Sequence, residues 1–495
     1  MSGRALMVQG TGSHVGKSVL ITALCRIFRQ EGFSVAPFKA QNMSNNAFVC
    51  ADGGEIARAQ TLQAAACGLQ PKVEMNPVLL KPYSDSGSQV VVMGKPVKTM
   101  GVMEYQKYKA DLIPVIRRCL DQLKEEYDLV LIEGAGSPAE INLREYDIVN
   151  MKTAELADAP VILVGDIDFG GVFAQLIGTL HLLTAEEKKR VRGFVINKFR
   201  GEIEILKPGL DYLERETRRK LLGVLPYFHD IQLPEEDSLA RHSKSHRQTS
   251  GCVRIDVVRH PRIANFTDFD ALESEPDVSL RYLERPDNLV PDAVLIPGTK
   301  STIPDLRRLK TMGFPEHIER CKRAGGMIVG ICGGFQMMGE RLSDPNRVDS
   351  NEKEEKGLCL LPATTVFRER KRTAQVRAFH IKSGSEVNGY EIHMGKTQVR
   401  SDSAFRIVER LGRETDELDG ASSKDGRTWG TYIHGLFDNL RFRRNFLNEL
   451  RASKGWAPLE ESTAPDLDAN IDKLANLARE NLDLESIRQI VASGS

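Results

Sequence analysis

The sequence carries no excess of charge of either sign: lysine plus arginine number 68, and so do aspartate plus glutamate. Without a net field, neither nucleic acid nor an anionic membrane is drawn to the chain as a whole. There is no C-x-x-C pair among its eight cysteines, Cys25, Cys50, Cys67, Cys119, Cys252, Cys321, Cys332 and Cys359. That spacing argues against a zinc site or a disulfide framework and for reduced thiols in a cytoplasmic protein. No apolar run reaches membrane-spanning length. The apolar stretch Ala5–Val8 runs straight into a glycine-rich loop, without the charged flank or cleavage site of a signal peptide. Internal repeats and low-complexity tracts are also missing. What is present is a chain of 495 residues, 41% hydrophobic, enough for two or three separately cored domains.

Short apolar runs alternate with amphipathic stretches, the pattern of a parallel sheet covered by helices. The expected strands of the first half are Ala5–Gln9, Ser34–Phe38, Leu129–Glu133, Pro160–Gly165 and Arg192–Asn197, closed by Leu221–Pro226. Open α/β sheets bind ligands at the carboxyl ends of such strands. A polar, charged run, Glu235–Ser250, reads as a linker. Strands restart at Val253–Val258, Ala293–Ile296 and Met327–Ile331, and the end of the chain reads as a helical tail with an apolar face of Ile471, Leu474, Leu477 and Leu482. The expected division is an α/β parallel-sheet domain at 1–235, a linker at 236–251, a second α/β domain at 252–447 and the tail at 448–495.

The first strand leads into Gly10-Thr-Gly-Ser-His-Val-Gly-Lys17-Ser18 and then an apolar helix, Val19–Phe28. Gly10, Thr11, Gly12, Val15 and Gly16 would fold the backbone so that its N–H groups face a phosphate at the positive end of the helix. Lys17 would reach the β- and γ-phosphates of ATP, and Ser18 would offer its hydroxyl to Mg²⁺. The loop departs from strict P-loop spacing, since Thr11 stands where the first glycine belongs. Acidic residues offer further metal ligands: Glu133 at a strand end, and Asp52 and Glu55 in Asp52-Gly-Gly-Glu55.

In the second half, Met327–Ile331, Cys332, Gly333 and Gly334 form an apolar strand followed by a sharp turn into a helix. Small residues around a nucleophile in a tight turn are the logic of a nucleophile elbow. A helix N-terminus favours the thiolate, and backbone N–H groups such as that of Gly333 can face a developing oxyanion. The base expected for Cys332 is His434, in Thr431-Tyr-Ile-His434-Gly435; His393 is the runner-up and can instead line a substrate pocket.

These residues carry several resemblances. The phosphate loop is similar to that of dethiobiotin synthetase, an amide-forming ATPase, which implies a lysine near the phosphates at Lys39 and adenine recognition at Asn197. The elbow and His434 resemble class I glutamine amidotransferases, which implies a second oxyanion donor at Gly298. That family has a glutamate two residues after the histidine, where this chain has Leu436. The cobyrinate-type branch also lacks it, so the partner of His434 stays unidentified.

Both halves together resemble the cobyric acid synthase family. Gln41-Asn-Met-Ser-Asn-Asn46, Asp52–Gln60, Met75–Pro82, Asp166–Phe173, Asn197–Gly201, Pro297–Thr302 and Tyr432–Phe437 carry the likeness. His14 stands where this family's loop often has an acidic residue and is given no role. The resemblance implies a ligase that amidates the b, d, e and g carboxylates of adenosylcobyrinate a,c-diamide in cobalamin biosynthesis, with ATP, Mg²⁺ and glutamine. Gln41, Asn42, Asn45 and Asn46 would help hold the corrinoid. Ammonia would need an enclosed route from Cys332 to the phosphate site. The competing readings are cobyrinate a,c-diamide synthase, a regulatory P-loop ATPase, and an amidotransferase acting on a cell-wall precursor.

Overall fold

Apolar runs too short to be helices and bounded by glycine or polar residues become the strands of two parallel sheets. The computed structural model describes residues 3–84, 87–234, 251–460 and 467–494. The expected linker, 236–251, lies outside the described residues apart from Gly251.

The first sheet has six parallel strands in the order Lys220–Pro226, Val191–Phe199, Val161–Asp166, Arg4–Gly10, Leu129–Glu133 and Val35–Phe38. Arg4–Gly10 lies centrally and is buried along all but its first residue, as a strand covered on both faces requires. The loop that follows it therefore opens at the carboxyl edge of the sheet, between Leu129–Glu133 and Val161–Asp166. Helix Lys17–Gln30 leaves that loop and buries Leu20, Ile21, Leu24 and Ile27.

Against the same helix packs the C-terminal tail. Its helices, Leu467–Asn481 and Leu484–Ser493, place Ile471, Leu474, Ala475, Ala478, Ile487 and Val491 in one core with Leu24 and Ile27. Arg26 pairs with Asp468 and, at 3.6 Å, with Asp472. Leu477, expected on the apolar face, is only half-buried; Ala475 and Ala478 take the buried positions, because small residues let the two helices approach closely.

Two additions to the first half were not expected from the sequence. A four-stranded sheet joins Gln41–Met43, Val78–Ser84, Gly87–Val92 and Lys95–Gly101, and a small hairpin pairs Ala47–Val49 with Glu55–Ala57. The hairpin turn is Asp52-Gly-Gly, with Gly53 at φ 85°, a left-handed position that favours glycine.

The second half centres on a sheet ordered Val278–Leu283, Val253–Val258, Ala293–Ile296, Met327–Ile331, Thr428–Thr431 and Ala421–Ser422, parallel except for its last strand. A long antiparallel pair, Ala363–His380 and Glu386–Val399, lies beside it. Tyr390 and Ile392 of that pair bury themselves with Ala47, Val49 and Ala57, so the two halves share a core. Among the described residues no helix is long and apolar enough to cross a membrane.

The returning tail has a measurable consequence. Leu474 is 2% exposed, so Leu474→Ala is expected to cost about 2–5 kcal/mol of stability in denaturant unfolding. A change below about 0.5 kcal/mol, the scale of a surface substitution, would show that the tail does not belong to this core.

Candidate active site

The elbow is built by backbone crowding. Cys332 sits at φ 52°, ψ −108°, a conformation L-residues rarely hold, between strand Met327–Ile331 and helix Gly333–Met338. It is locked there by its N–H, which donates to Thr431 O at 2.8 Å, and by its carbonyl, which accepts from Gln336 N at 3.0 Å. Gly334 must be glycine: an added Cβ would lie 1.8 Å from Ile296 O. Packing of this kind aims the thiol, which is 9% exposed, while its Sγ also lies 3.5 Å from Ile392 O.

His434 ends the short strand Ile433–His434, which pairs with Tyr390 and Glu391 in the long hairpin. Its Nδ1 lies 2.6 Å from Asp268 Oδ2, and Asp268 Oδ1 accepts from Gly435 N at 2.9 Å. The Tyr390 ring stacks on the imidazole at 5.4 Å. Burial alone would lower the histidine pKa, but the Asp268 carboxylate, and then the hydrogen bond to Cys332, outweigh it and raise His434 to about 10. The imidazole is therefore charged through neutral pH. Because this lies above the unfolded value of about 6.5, its contribution to stability is complete below about 6.5 and is lost as pH rises through about 10.

Asp268 is thus the partner of His434 that sequence reasoning missed. It lies 166 residues away, on a short turn between the buried Phe266 and Phe269. The one available signal was an acidic residue set between two phenylalanines, Phe266 and Phe269, in a short polar segment. His393, the runner-up base, stacks on Tyr432 at 3.7 Å and bonds Gly395 O at 2.8 Å, so His434 alone takes the place beside Cys332. Gly298 stands next to both: a Cβ built there would lie 3.3 Å from His434 Cε1 and 3.6 Å from Cys332 Cβ. Gly333 opens the helix, where first-turn N–H groups have no intrahelical partner.

In the first half the phosphate loop and its neighbours converge on Glu133. Ser18 Oγ donates to Glu133 Oε1 at 2.8 Å, Lys39 Nζ to the same oxygen at 2.9 Å, and Gln63 Nε2 to Oε2. Lys17 Nζ donates to the carbonyls of Gly12 and Gly136 at 2.8 and 3.1 Å. Gly16, at φ 101°, lies against Asn197, whose Nδ2 donates to Val15 O at 2.9 Å. Asn197 therefore braces the loop with the donor that was expected to read adenine. Thr11 N holds the loop to Val164 O at 2.9 Å. A serine hydroxyl beside one carboxylate is an oxygen donor set that fits Mg²⁺, which in nucleotide sites takes one or two carboxylates with phosphate oxygens and water.

A cavity of about 1680 Å³ opens over Lys17, Ser18, Lys39 and Glu133 and extends past Gln41 and Asn42. Four exposed apolar side chains, Met43, Val102, Leu143 and Tyr146, line it together with Lys109, Arg144 and Lys152.

Four expected site residues lie elsewhere. Asp52 is exposed and accepts from Gly54 N at 2.9 Å, so its carboxylate caps the hairpin turn instead of reaching the phosphate loop. Glu55 is buried between Lys81, at 2.6 Å, and Lys371. Burial alone would raise its carboxyl, but the Lys371 and Lys81 ammonium groups hold it at about 2. Asn45 and Asn46 do not line the cavity: Asn45 buries an unpartnered Oδ1, and Asn46 Oδ1 accepts from Phe266 N of the second half at 3.1 Å.

Comparison with known proteins gives this two-site geometry a family. Residues 6–240 match the CobQ/CobB/MinD/ParA nucleotide binding domain, and residues 254–442 match the CobB/CobQ-like glutamine amidotransferase domain. A protein named cobyric acid synthase from Streptococcus sanguinis is 48% identical over 99% of both chains. The chain belongs to the cobyric acid synthase family. Proteins of the same name from Dehalococcoides mccartyi, 46% identical over 99% of both chains, and from a Thermoanaerobacter species, 47% identical over 98% of both, agree. The expectation of a ligase with a glutamine amidotransferase half holds, and the readings as cobyrinate a,c-diamide synthase and as a regulatory ATPase are not favoured.

Replacing Asp268 by the isosteric asparagine tests the His434 geometry. Asp268→Asn is expected to lower glutaminase turnover about 10²- to 10⁴-fold, the usual worth of general acid–base catalysis. It should also move the alkaline limb of the pH–rate profile down from about 10. A limb that stays in place would contradict the pairing.

Proposed function

We propose that this chain uses ATP, Mg²⁺ and glutamine to amidate the b, d, e and g carboxylates of adenosylcobyrinate a,c-diamide. The observation that carries the reading is the cavity over the phosphate loop. Its volume, about 1680 Å³, exceeds the roughly 300–1,000 Å³ of ordinary ligand pockets. Its wall combines exposed apolar side chains with charges of both signs, among them Glu140, Glu145 and Asp147 beside Lys109, Arg144 and Lys152; the apolar part suits a broad macrocycle and the basic residues its carboxylates.

At the second site, Cys332 as thiolate attacks the side-chain amide carbon of glutamine. Gly298 and Gly333 N–H groups receive the oxyanion, and the His434 imidazolium protonates the departing nitrogen to give ammonia. The neutral imidazole then takes a proton from water, whose oxygen attacks the thioester and releases glutamate. Asp268 keeps the ring oriented throughout. At the first site, the acceptor carboxylate attacks the γ-phosphorus of ATP and ADP leaves; ammonia then attacks the acyl carbon of the resulting acyl phosphate, and phosphate departs with one proton lost from the nitrogen. Lys17 and Lys39 offset the charge of the transferring phosphoryl group. Bound Mg²⁺ would be held by Ser18 and Glu133 and would neutralise phosphate charge.

Ammonia that escapes to water is protonated and no longer nucleophilic. Helix Arg58–Cys67 carries Gln60 and Gln63, whose Nε2 and Oε1 respectively are buried without a partner. These are polar atoms that can bond a passing ammonia molecule, and they favour an enclosed route. Cys332→Ala is expected to abolish glutamine-dependent amidation and to retain amidation with added ammonium. Loss of both activities would contradict the division of labour.

A further inference from the structure

The turn that carries Asp268 is held by the other half of the molecule. Asn46 Oδ1 accepts from Phe266 N at 3.1 Å, and Asn265 Oδ1 accepts from Ala47 N at 2.9 Å. Both asparagines are buried, and Asn265 sits at φ 53°. Two consecutive residues of the ligase half thus grip two consecutive residues of the turn, two or three positions before the carboxylate that orients His434. The far flank of the site is tied in the same way: Arg58 Nη2 pairs with Asp438 Oδ2 at 3.1 Å, just past His434.

On the ligase side these contacts lead to the phosphate site. Asn46 O accepts from Arg58 N at 3.1 Å, at the start of helix Arg58–Cys67. Gln60 of that helix accepts from Asn42 Nδ2 at 3.0 Å, and Gln63 donates to Glu133. Gln41 and Asn42 line the cavity at the other end of the segment that finishes in Asn46 and Ala47. One short stretch, 41–47, therefore touches the acceptor cavity at its start and the turn bearing Asp268 at its end.

We infer that Asn46 and Asn265 are positioning residues of the glutaminase, a reciprocal clasp through which filling of the acceptor cavity aligns Asp268 with His434. The inference rests on the function proposed above. Ligands in the cavity restrain residues 41–43, the clasp passes that restraint to residues 265–268, and Asp268 then holds the imidazolium in register with Cys332.

The test measures glutamate release from glutamine by the full-length enzyme, with and without ATP, Mg²⁺ and adenosylcobyrinate a,c-diamide. Ammonium-dependent amidation and thermal unfolding are followed in parallel. Wild type is expected to be stimulated about tenfold or more, within the usual 5- to 150-fold range of coupling between sites. Asn265→Gly, which suits the left-handed backbone but removes the acceptor, should bring the stimulated rate down to the unstimulated one while ammonium-dependent amidation persists. Asn46→Ala breaks the other arm of the clasp and decides the matter if the glycine variant is unstable. Asn265→Asp keeps an acceptor oxygen and should keep the stimulation. Stimulation retained in Asn265→Gly and Asn46→Ala would overturn the inference, as would stimulated and unstimulated rates falling in proportion, or a wild type that is not stimulated. Failure of wild type to amidate the corrinoid even with ammonium is a different result, and would remove the underlying reading as well.

Discussion

A charged imidazole kept away from water beside a thiol is the condition on which the glutaminase half depends, and the Asp268 carboxylate makes it possible. Removing one partner of such a buried pair typically costs about 3–5 kcal/mol, because the remaining charge is left uncompensated. The surrounding structure is arranged to keep the pair together. Gly435 N–H satisfies the second oxygen of Asp268, Tyr390 covers one face of the ring, and Cys332 is fixed in a strained turn by backbone contacts on both sides. Elsewhere in the chain burial pushes the Cys50, Cys119 and Cys321 thiols up to about 12, so they remain neutral packing residues.

The ligase half has a corresponding centre in Glu133, which gathers Ser18, Lys39 and Gln63 at the edge of the sheet. The two centres are joined by more than apolar packing. Glu55 and Lys81 of the first half meet Lys371 of the second, while Lys300 of the second half donates to Gln89 of the first at 2.8 Å. Burial draws Lys371 down to about 7 and Lys300 to about 8.

Much of this was legible in the sequence wherever chemistry and local structure coincide. The parallel strands could be read because they are short apolar runs with polar ends, Lys17 and Ser18 because they open a helix behind a glycine-rich loop, and Glu133 and Cys332 because each stands where a strand ends. Asp268 could not be read, since its meaning depends on a contact 166 residues distant. The Asp52-Gly-Gly-Glu55 segment misled for a related reason. Its acidic residues suggested a metal, whereas the glycines serve a tight turn, Asp52 caps that turn, and Glu55 finds its partners across the domain interface. The long antiparallel pair was missed because its strands alternate buried with mostly half-buried positions and the first is interrupted by the charged run Arg368–Arg372, with no continuous apolar run to mark them.

In the proposed reaction, ammonia made at Cys332 reaches a corrin carboxylate activated at Lys17 without entering bulk water. The most direct test supplies adenosylcobyrinate a,c-diamide, ATP, Mg²⁺ and glutamine labelled with heavy nitrogen in its amide, in the presence of excess unlabelled ammonium at near-neutral pH. Product mass then reports the origin of each new amide nitrogen. The account expects heavy nitrogen in the b, d, e and g amides; product that carries mainly unlabelled nitrogen, or a corrinoid left unamidated, would contradict it.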